Sequence, residues 1–164
     1  MAGLIKQFVG ESYPHGDYKL APEATSGILV GGFVTVDHTE GEFDVPADDA
    51  VGTIFMVVNE NDPLVPHNQD YREFVVNAGE LVKAKPMIDG EIVQTTLVGS
   101  TYATVADGDE MGVGADGELY LIADLTAGDF TTFATTFKVV KKGKVKLWGL
   151  DSLILEVNTK TKTA

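Results

Sequence analysis

The stretch that decides the fold is Lys144-Val145-Lys146-Leu147-Trp148, followed by Ser152-Leu153-Ile154-Leu155-Glu156-Val157. In the first segment Val145 and Leu147 alternate with polar or amphipathic residues, and the second segment alternates in the same way. Successive side chains of a β-strand point to opposite faces, so this period of two predicts two half-buried strands. Lys144, Lys146 and Trp148 fall on one face, with Val145 and Leu147 on the other.

The same pattern of short, β-branched apolar runs extends over most of the chain. The runs lie between turn residues, because the 164 residues include 18 glycines and 6 prolines. We therefore predict an all-β fold, a compact β-barrel or β-sandwich of about ten short strands. The candidate strands are Ile28–Val36, Thr53–Val58, Arg72–Val76, Glu80–Met87, Glu91–Leu97, Thr101–Val105, Glu118–Ile122, Phe133–Val140, Lys144–Trp148 and Ser152–Val157. The segment 54–58 is apolar on both faces, which predicts an interior strand.

Only the N-terminus carries a helical pattern of apolar residues, Leu4, Ile5, Phe8 and Val9. Such a short helix is not stable alone in water, so we predict an arm that packs on a partner. The predicted organisation is an arm and loop at 1–26 and one β-domain at 27–164. This domain carries a basic strand pair at 138–158 and ends in a short polar tail.

Acid-glycine-glutamate turns recur three times, at Glu40-Gly41-Glu42, Asp89-Gly90-Glu91 and Asp116-Gly117-Glu118. Each follows a glycine-led apolar strand and precedes a return strand. Glycine adopts a positive φ at low cost, as hairpin turns require. The unequal spacing indicates recurrent hairpin chemistry and not a solenoid.

Charge is distributed unevenly, which excludes several classes of partner. Residues 1–137 hold five cations against 23 acids, a net charge of −18, whereas residues 138–164 hold seven cations against two acids, a net of +5. The acidic body repels nucleic acid and anionic membranes, so we expect neither as a partner. The basic stretch is either a solvated strand pair or a surface for an acidic partner. We expect no secretory signal at the N-terminus and no membrane span.

Motifs for catalysis are absent from the sequence. There is no G-x-S-x-G elbow, H-E-x-x-H pair, Walker A loop or dinucleotide fingerprint, and no cysteine. Ser12, His15 and Asp17 fall within six residues, too close for a converging triad. We therefore expect that the chain is not an enzyme and that it binds no cofactor and no metal ion. The nearest motif is Asp107 to Glu118, with acids at calcium-loop positions 1, 3 and 12 but a methionine at position 5. It is either a partial calcium loop or a solvated acidic hairpin.

Trp148 is the aromatic residue whose strand parity places it on a polar face, together with Lys144 and Lys146. The sequence leaves three alternatives for Trp148: burial under a neighbouring loop, a place in a protein interface, or stacking on a sugar. The candidate partner-binding residues are Leu4, Ile5, Phe8, Val9, Lys144, Lys146 and Trp148.

Segments 31–36 and 42–54 carry a family resemblance. The first enters a strand through Gly31-Gly32, and the second leads from an acidic turn through Ala47-Asp48-Asp49-Ala50-Val51-Gly52 into the strand at 53–58. Over roughly residues 27–123, this resembles the capsid decoration (cement) proteins of tailed bacteriophages. The basic C-terminal strands have no counterpart in the pattern.

The resemblance implies a virion structural protein on the outer capsid surface. Such a protein would bind the major capsid protein lattice, stabilise the head and form a homo-oligomer, with a trimer as the expected state. Binding only the assembled shell stabilises it by mass action. The alternatives are another virion component, such as a head fibre base or a tail protein, and a carbohydrate-binding β-sandwich that uses Trp148.

Overall fold

The structure is a computed structural model that describes residues 18–58, 75–129, 131–145 and 149–159. Twelve β-strands lie within these ranges. Within these ranges the only helical elements are short 3-10 turns, so the predicted all-β class is confirmed. The strands are β1 (Lys19–Leu20), β2 (Ile28–Leu29), β3 (Phe33–Asp37), β4 (Glu42–Asp44), β5 (Phe55–Val57), β6 (Val75–Val76), β7 (Ala84–Pro86), β8 (Ile92–Thr95), β9 (Glu110–Val113), β10 (Leu119–Leu121), β11 (Thr135–Val145) and β12 (Leu150–Thr159).

The chain divides into two compact units. Unit 1 comprises Met1–Val45 and Phe55–Pro86, and unit 2 comprises Pro46–Ile54 and Met87–Ala164. The arm at 1–26 and the single domain at 27–164 stay predictions. Strand β1 falls inside the range predicted as an arm and loop, where it pairs in parallel with β4.

Unit 1 is built on a five-stranded sheet with the order β1-β4-β3-β5-β7 and a two-stranded sheet of β2 and β6. Strand β5 lies between β3 and β7, as the apolar segment 54–58 predicted. Phe43 is fully buried and meets the ring of Phe55 edge-on, with 5.7 Å between the ring centroids. The core of this unit consists of Leu20, Ile28, Val34, Phe43, Phe55, Val57, Val76, Val82 and Ala84.

Unit 2 is built on a five-stranded sheet with the order β10-β9-β11-β12-β8. Its centre is the long hairpin of β11 and β12, in which Phe137 lies opposite Val157 and Val139 opposite Leu155. These four side chains are at most 1% exposed. The alternation in 152–157 therefore identifies the buried face of β12 correctly.

The structure corrects four of the predicted strand segments. The sequence predicts separate strands at 133–140 and 144–148, but β11 runs without interruption from Thr135 to Val145. Segment 28–36 is divided into β2 and β3 by a turn in which the amide of Gly32 donates to Leu29. Segment 101–105 forms a turn, in which the amide of Thr104 donates to Thr101.

The glycines of the three acidic turns all adopt positive φ, at 73° for Gly41 and 76° for both Gly90 and Gly117. Asp116 shares this conformation, with a φ of 77°, so two successive residues there are left-handed. The turn at Gly90 does not close a hairpin, because it leads from β7 in unit 1 to β8 in unit 2.

Candidate docking surface

The predicted partner-binding residues fall mostly outside the described ranges. This holds for Leu4, Ile5, Phe8, Val9, Lys146 and Trp148, whose roles stay predictions.

Lys144 is the described member of that set, and it has a partner within its own hairpin. It lies opposite Asp151 on β12, with Nζ 3.7 Å from Oδ1 and the two side chains 69% and 53% exposed. An exposed pair of this kind contributes at most about 1 kcal/mol. The ammonium of Lys144 can therefore exchange Asp151 for a partner's carboxylate at low cost.

A β-bulge controls which face each lysine of β11 occupies. Val139 pairs with Leu155 and Lys141 with Ile154, so Val140 is an extra residue between them. One extra residue reverses the alternation of a strand. Lys142 therefore lies on the same face as its buried partner Leu153, instead of on the outer face.

Lys142 uses this position to hold the turn at 101–107 against the hairpin. Its Nζ donates to the carbonyl oxygens of Tyr102 and Val105, each at 2.7 Å, and lies 4.4 Å from the centroid of the Tyr102 ring. The phenol of Tyr102 in turn donates to the carbonyl of Gly143 at 3.1 Å. Lys142 is thus a structural clamp and is not available to a partner. The sequence signal is Val139-Val140-Lys141-Lys142, which breaks the alternation where the bulge occurs.

The outer face of the unit 2 sheet carries a row of charges across adjacent strands. Lys138 on β11 lies opposite Glu156 on β12 and opposite Glu110 on β9, and Glu156 lies opposite Ile92 on β8. Opposite charges on facing residues of neighbouring strands stabilise a sheet by about 0.2–1 kcal/mol per pair. Lys138 faces both carboxylates across the sheet, although Oε2 of Glu110 is buried without a hydrogen-bond partner.

Aspartates in turns and loops accept hydrogen bonds from the chain's own main-chain amides. Asp109 Oδ2 accepts from the amide of Ala106 at 2.7 Å, and Asp107 Oδ1 accepts from the amide of Lys142 at 3.0 Å. Seven described aspartates accept main-chain N–H groups in this way: Asp37, Asp49, Asp89, Asp107, Asp109, Asp116 and Asp129. In segment 107–118, this use of the carboxylates favours the acidic hairpin over the calcium loop.

Tyr120 is held by the left-handed turn at Asp116. Its phenol donates to Asp116 Oδ2 at 2.9 Å, and this hydrogen bond, with burial as a smaller cause, raises the pKa of Tyr120 to about 12. The other carboxylate oxygen of Asp116 accepts the amide of Glu118 at 3.0 Å. A Cβ added at Gly99 would lie 2.0 Å from the ring of Tyr120, so the ring requires glycine there.

An acidic cluster occupies the β3–β4 hairpin of unit 1. Burial, and then the charge of Glu23, raises the pKa values of Glu42 and Asp44. The pKa of Asp37 shifts in the opposite direction, because the amides of Thr39 and Glu40 donate hydrogen bonds to its carboxylate and lower its pKa. This crowding of carboxylates favours a partner that brings positive charge and disfavours anions.

Within the ranges that the structure describes, no three histidine, aspartate or glutamate side chains are arranged to hold a metal ion. Of the histidines, His15 and His67 lie outside those ranges, and the ring of His38 meets that of Tyr18 edge-on at 6.1 Å.

Among the described residues, no helix has the length and apolar character needed to cross a membrane. Comparison of the chain with known proteins found no matching family model, curated protein or solved structure.

Proposed function

We propose that this chain is a bacteriophage virion protein of the capsid decoration type. It binds the outer surface of the major capsid protein lattice as a homo-oligomer and stabilises the head. In this role the chain binds to a protein lattice and catalyses no reaction.

The observation that carries the proposal is the structural use of the aspartates in turns and loops. Seven described aspartates accept main-chain N–H groups, so this part of the acidic composition fixes loops in place. Fixed loops lose little conformational entropy on docking, which favours binding by a preformed surface. The segment that resembles decoration proteins, residues 27–123, contains six of these seven aspartates.

Charge supports the outer side of the capsid as the location. A formal net charge of −13 repels DNA, so a position against the packaged genome is electrostatically unfavourable. Each occupied site stabilises the assembled shell, so over many equivalent sites a modest affinity at each one adds up to a large stabilisation of the head.

The direct test is binding of the purified full chain to expanded shells that lack it. We expect saturable co-sedimentation at hundreds of copies per shell, together with greater resistance of the shell to heat. Failure to bind, or binding at only a few copies, contradicts the proposal, and the latter result favours a fibre base or a tail protein.

Deletion of residues 1–9 tests the predicted arm. We expect the truncated chain to keep the circular dichroism spectrum and melting temperature of the full chain but to lose docking. If it docks at full occupancy, the arm is not the attachment element.

Two charge reversals on β11 test the basic hairpin. Lys144→Glu places a negative charge opposite Asp151 on one face, and Lys141→Glu makes the same change opposite Ile154 on the other face. Lys144 belongs to the predicted docking set, so we expect only Lys144→Glu to weaken binding to shells. Equal effects would show that net charge, and not this face, governs docking.

A further inference from the structure

The outer edges of the two five-stranded sheets differ in how they are protected. At β10, the amide of Leu119 donates to the carbonyl of Leu97 and the amide of Gly99 donates back to Leu119. Segment 97–100 thus covers that edge. At β1, the amide of Leu20 donates to Glu80 and the amide of Gly79 donates to Leu20, so segment 79–82 covers that edge. At β7, the outward-facing Pro86 has no N–H to offer.

Strand β8 lacks these protections within the described part of the chain. The amide of Val157 donates to the carbonyl of Glu91, and the ladder continues with Val93 opposite Leu155 and Thr95 opposite Leu153, so residues 93 and 95 direct their main-chain groups toward β12. By the alternation of an antiparallel ladder, Ile92 and Gln94 direct theirs outward. Ile92–Thr95 contains no proline and no lysine, although such residues normally guard an open edge. The side chain of Ile92 is 57% exposed, and that of the nearby Ile88 is 62% exposed.

We propose that β8 pairs with β8 of a second copy of this chain. Antiparallel pairing about a two-fold axis at Val93 sets Ile92 opposite Gln94 of the second copy, and Gln94 opposite Ile92 of the second copy. Four main-chain hydrogen bonds then join the copies, and the two five-stranded sheets become one sheet of ten strands. The inference goes beyond the proposed function and does not depend on it.

The charges beside β8 fit this arrangement. Acidic residues lie at one end of the edge, at Asp89 and Glu91, whereas the other end, Thr95-Thr96-Leu97, is uncharged. An antiparallel two-fold pairing sets each acidic end opposite an uncharged end, so no like charges face each other directly. A parallel pairing would place Glu91 beside Glu91. The contact is isologous and closes as a dimer, so the trimer implied by the family resemblance would need a different surface.

The oligomeric state of the full chain tests the pairing. Analytical ultracentrifugation over a range of concentrations should show a monomer–dimer equilibrium that strengthens with salt, because each copy carries a net charge of −13. Ile92→Lys adds a charge at the edge, and Gln94→Pro removes an outward N–H and keeps the main-chain ladder to β12, at the loss of the hydrogen bond from Gln94 Nε2 to Ser152 Oγ. Each should weaken the dimer at least about tenfold. The matched control is Val140→Lys, which adds the same charge at a 47% exposed site away from the edge and should leave the dimer unchanged.

Amide exchange in the unmodified chain gives a second readout that needs no variant. The amides of Ile92 and Gln94 should be protected at high concentration and lose protection on dilution, whereas that of Val93, bonded within the sheet, should stay protected at both. A chain that is monomeric at every concentration and salt tested would overturn the proposal. So would an oligomer that survives both β8 variants, or protection at residues 92 and 94 that does not change on dilution.

Discussion

Replacement of Lys142 by methionine should destabilise unit 2 substantially. The ammonium of Lys142 donates to the carbonyls of Tyr102 and Val105 at 2.7 Å and lies 4.4 Å from the centroid of the Tyr102 ring. A hydrogen bond to a charged group contributes about 1.5–3 kcal/mol, and a cation–π contact about 0.5–1 kcal/mol at exposed sites. Lys142 is only half-buried and the carbonyls regain water in the variant, so we expect a net loss of about 2–3 kcal/mol in the free energy of unfolding.

Urea and thermal unfolding followed by circular dichroism measure this loss. For a chain of this size, about 2–3 kcal/mol corresponds to a fall in melting temperature of roughly 5–10 °C. Methionine keeps the packing of the side-chain stem, so the change isolates the ammonium. Lys141→Met is the matched control, because Lys141 is exposed and lies on the opposite face. A loss below about 0.5 kcal/mol, or one equal to that of the control, would refute the assignment of Lys142 as a clamp.

Two further predictions concern backbone strain and pH. Gly27 and Gly79 both have positive φ, 66° and 77°, but an added Cβ at Gly27 lies 2.6 Å from the carbonyl oxygen of Val76, whereas nothing lies within 4 Å at Gly79. Gly79→Ala should therefore lower the free energy of unfolding by about 1–2 kcal/mol from backbone strain alone. Gly27→Ala should lower it by about 1–3 kcal/mol more, and equal losses in urea unfolding would contradict the predicted clash. The pKa of Tyr120 is raised from 10.0 to about 12, so its contribution to stability is complete below pH 10 and is lost as the pH rises from about 10 to about 12. Asp116→Asn should lower that pKa, and an unchanged ultraviolet titration of the phenol would contradict the role of Asp116.

The sequence predicts the fold class and much of the turn chemistry because both depend on local patterns. The alternation of Leu153, Leu155 and Val157 identifies a buried face without knowledge of the partner strand. The positive φ of Gly41 and Gly117 follows from the acid-glycine pairs, because glycine adopts this conformation at little cost.

The remaining features depend on contacts that are distant in sequence. Segment 101–105 is β-branched and predicts a strand, but Lys142, 40 residues after Tyr102, holds it as a turn. The sequence does not predict the continuity of β11, because Gly143 interrupts the apolar pattern, whereas the ladder continues through it, with Gly143 opposite Ser152.

The candidate docking residues also combine features that local patterns predict with features that depend on contacts distant in sequence. Lys144 was placed correctly on a strand, but its pairing with Asp151 depends on the register of the hairpin. The open edge at β8 has no signature in the sequence, because Ile92–Thr95 alternates like any other half-buried strand. Only the order of the strands shows that nothing in the described chain pairs with its outer side.

A reconstruction of the native phage particle by electron microscopy tests the central proposal most directly. We expect density for this chain on the outer face of the shell, in contact with the major capsid protein and repeated over the lattice in hundreds of copies. A particle in which the chain is missing from the outer surface, or is confined to the tail or the shell interior, would contradict the proposal that this chain decorates the capsid.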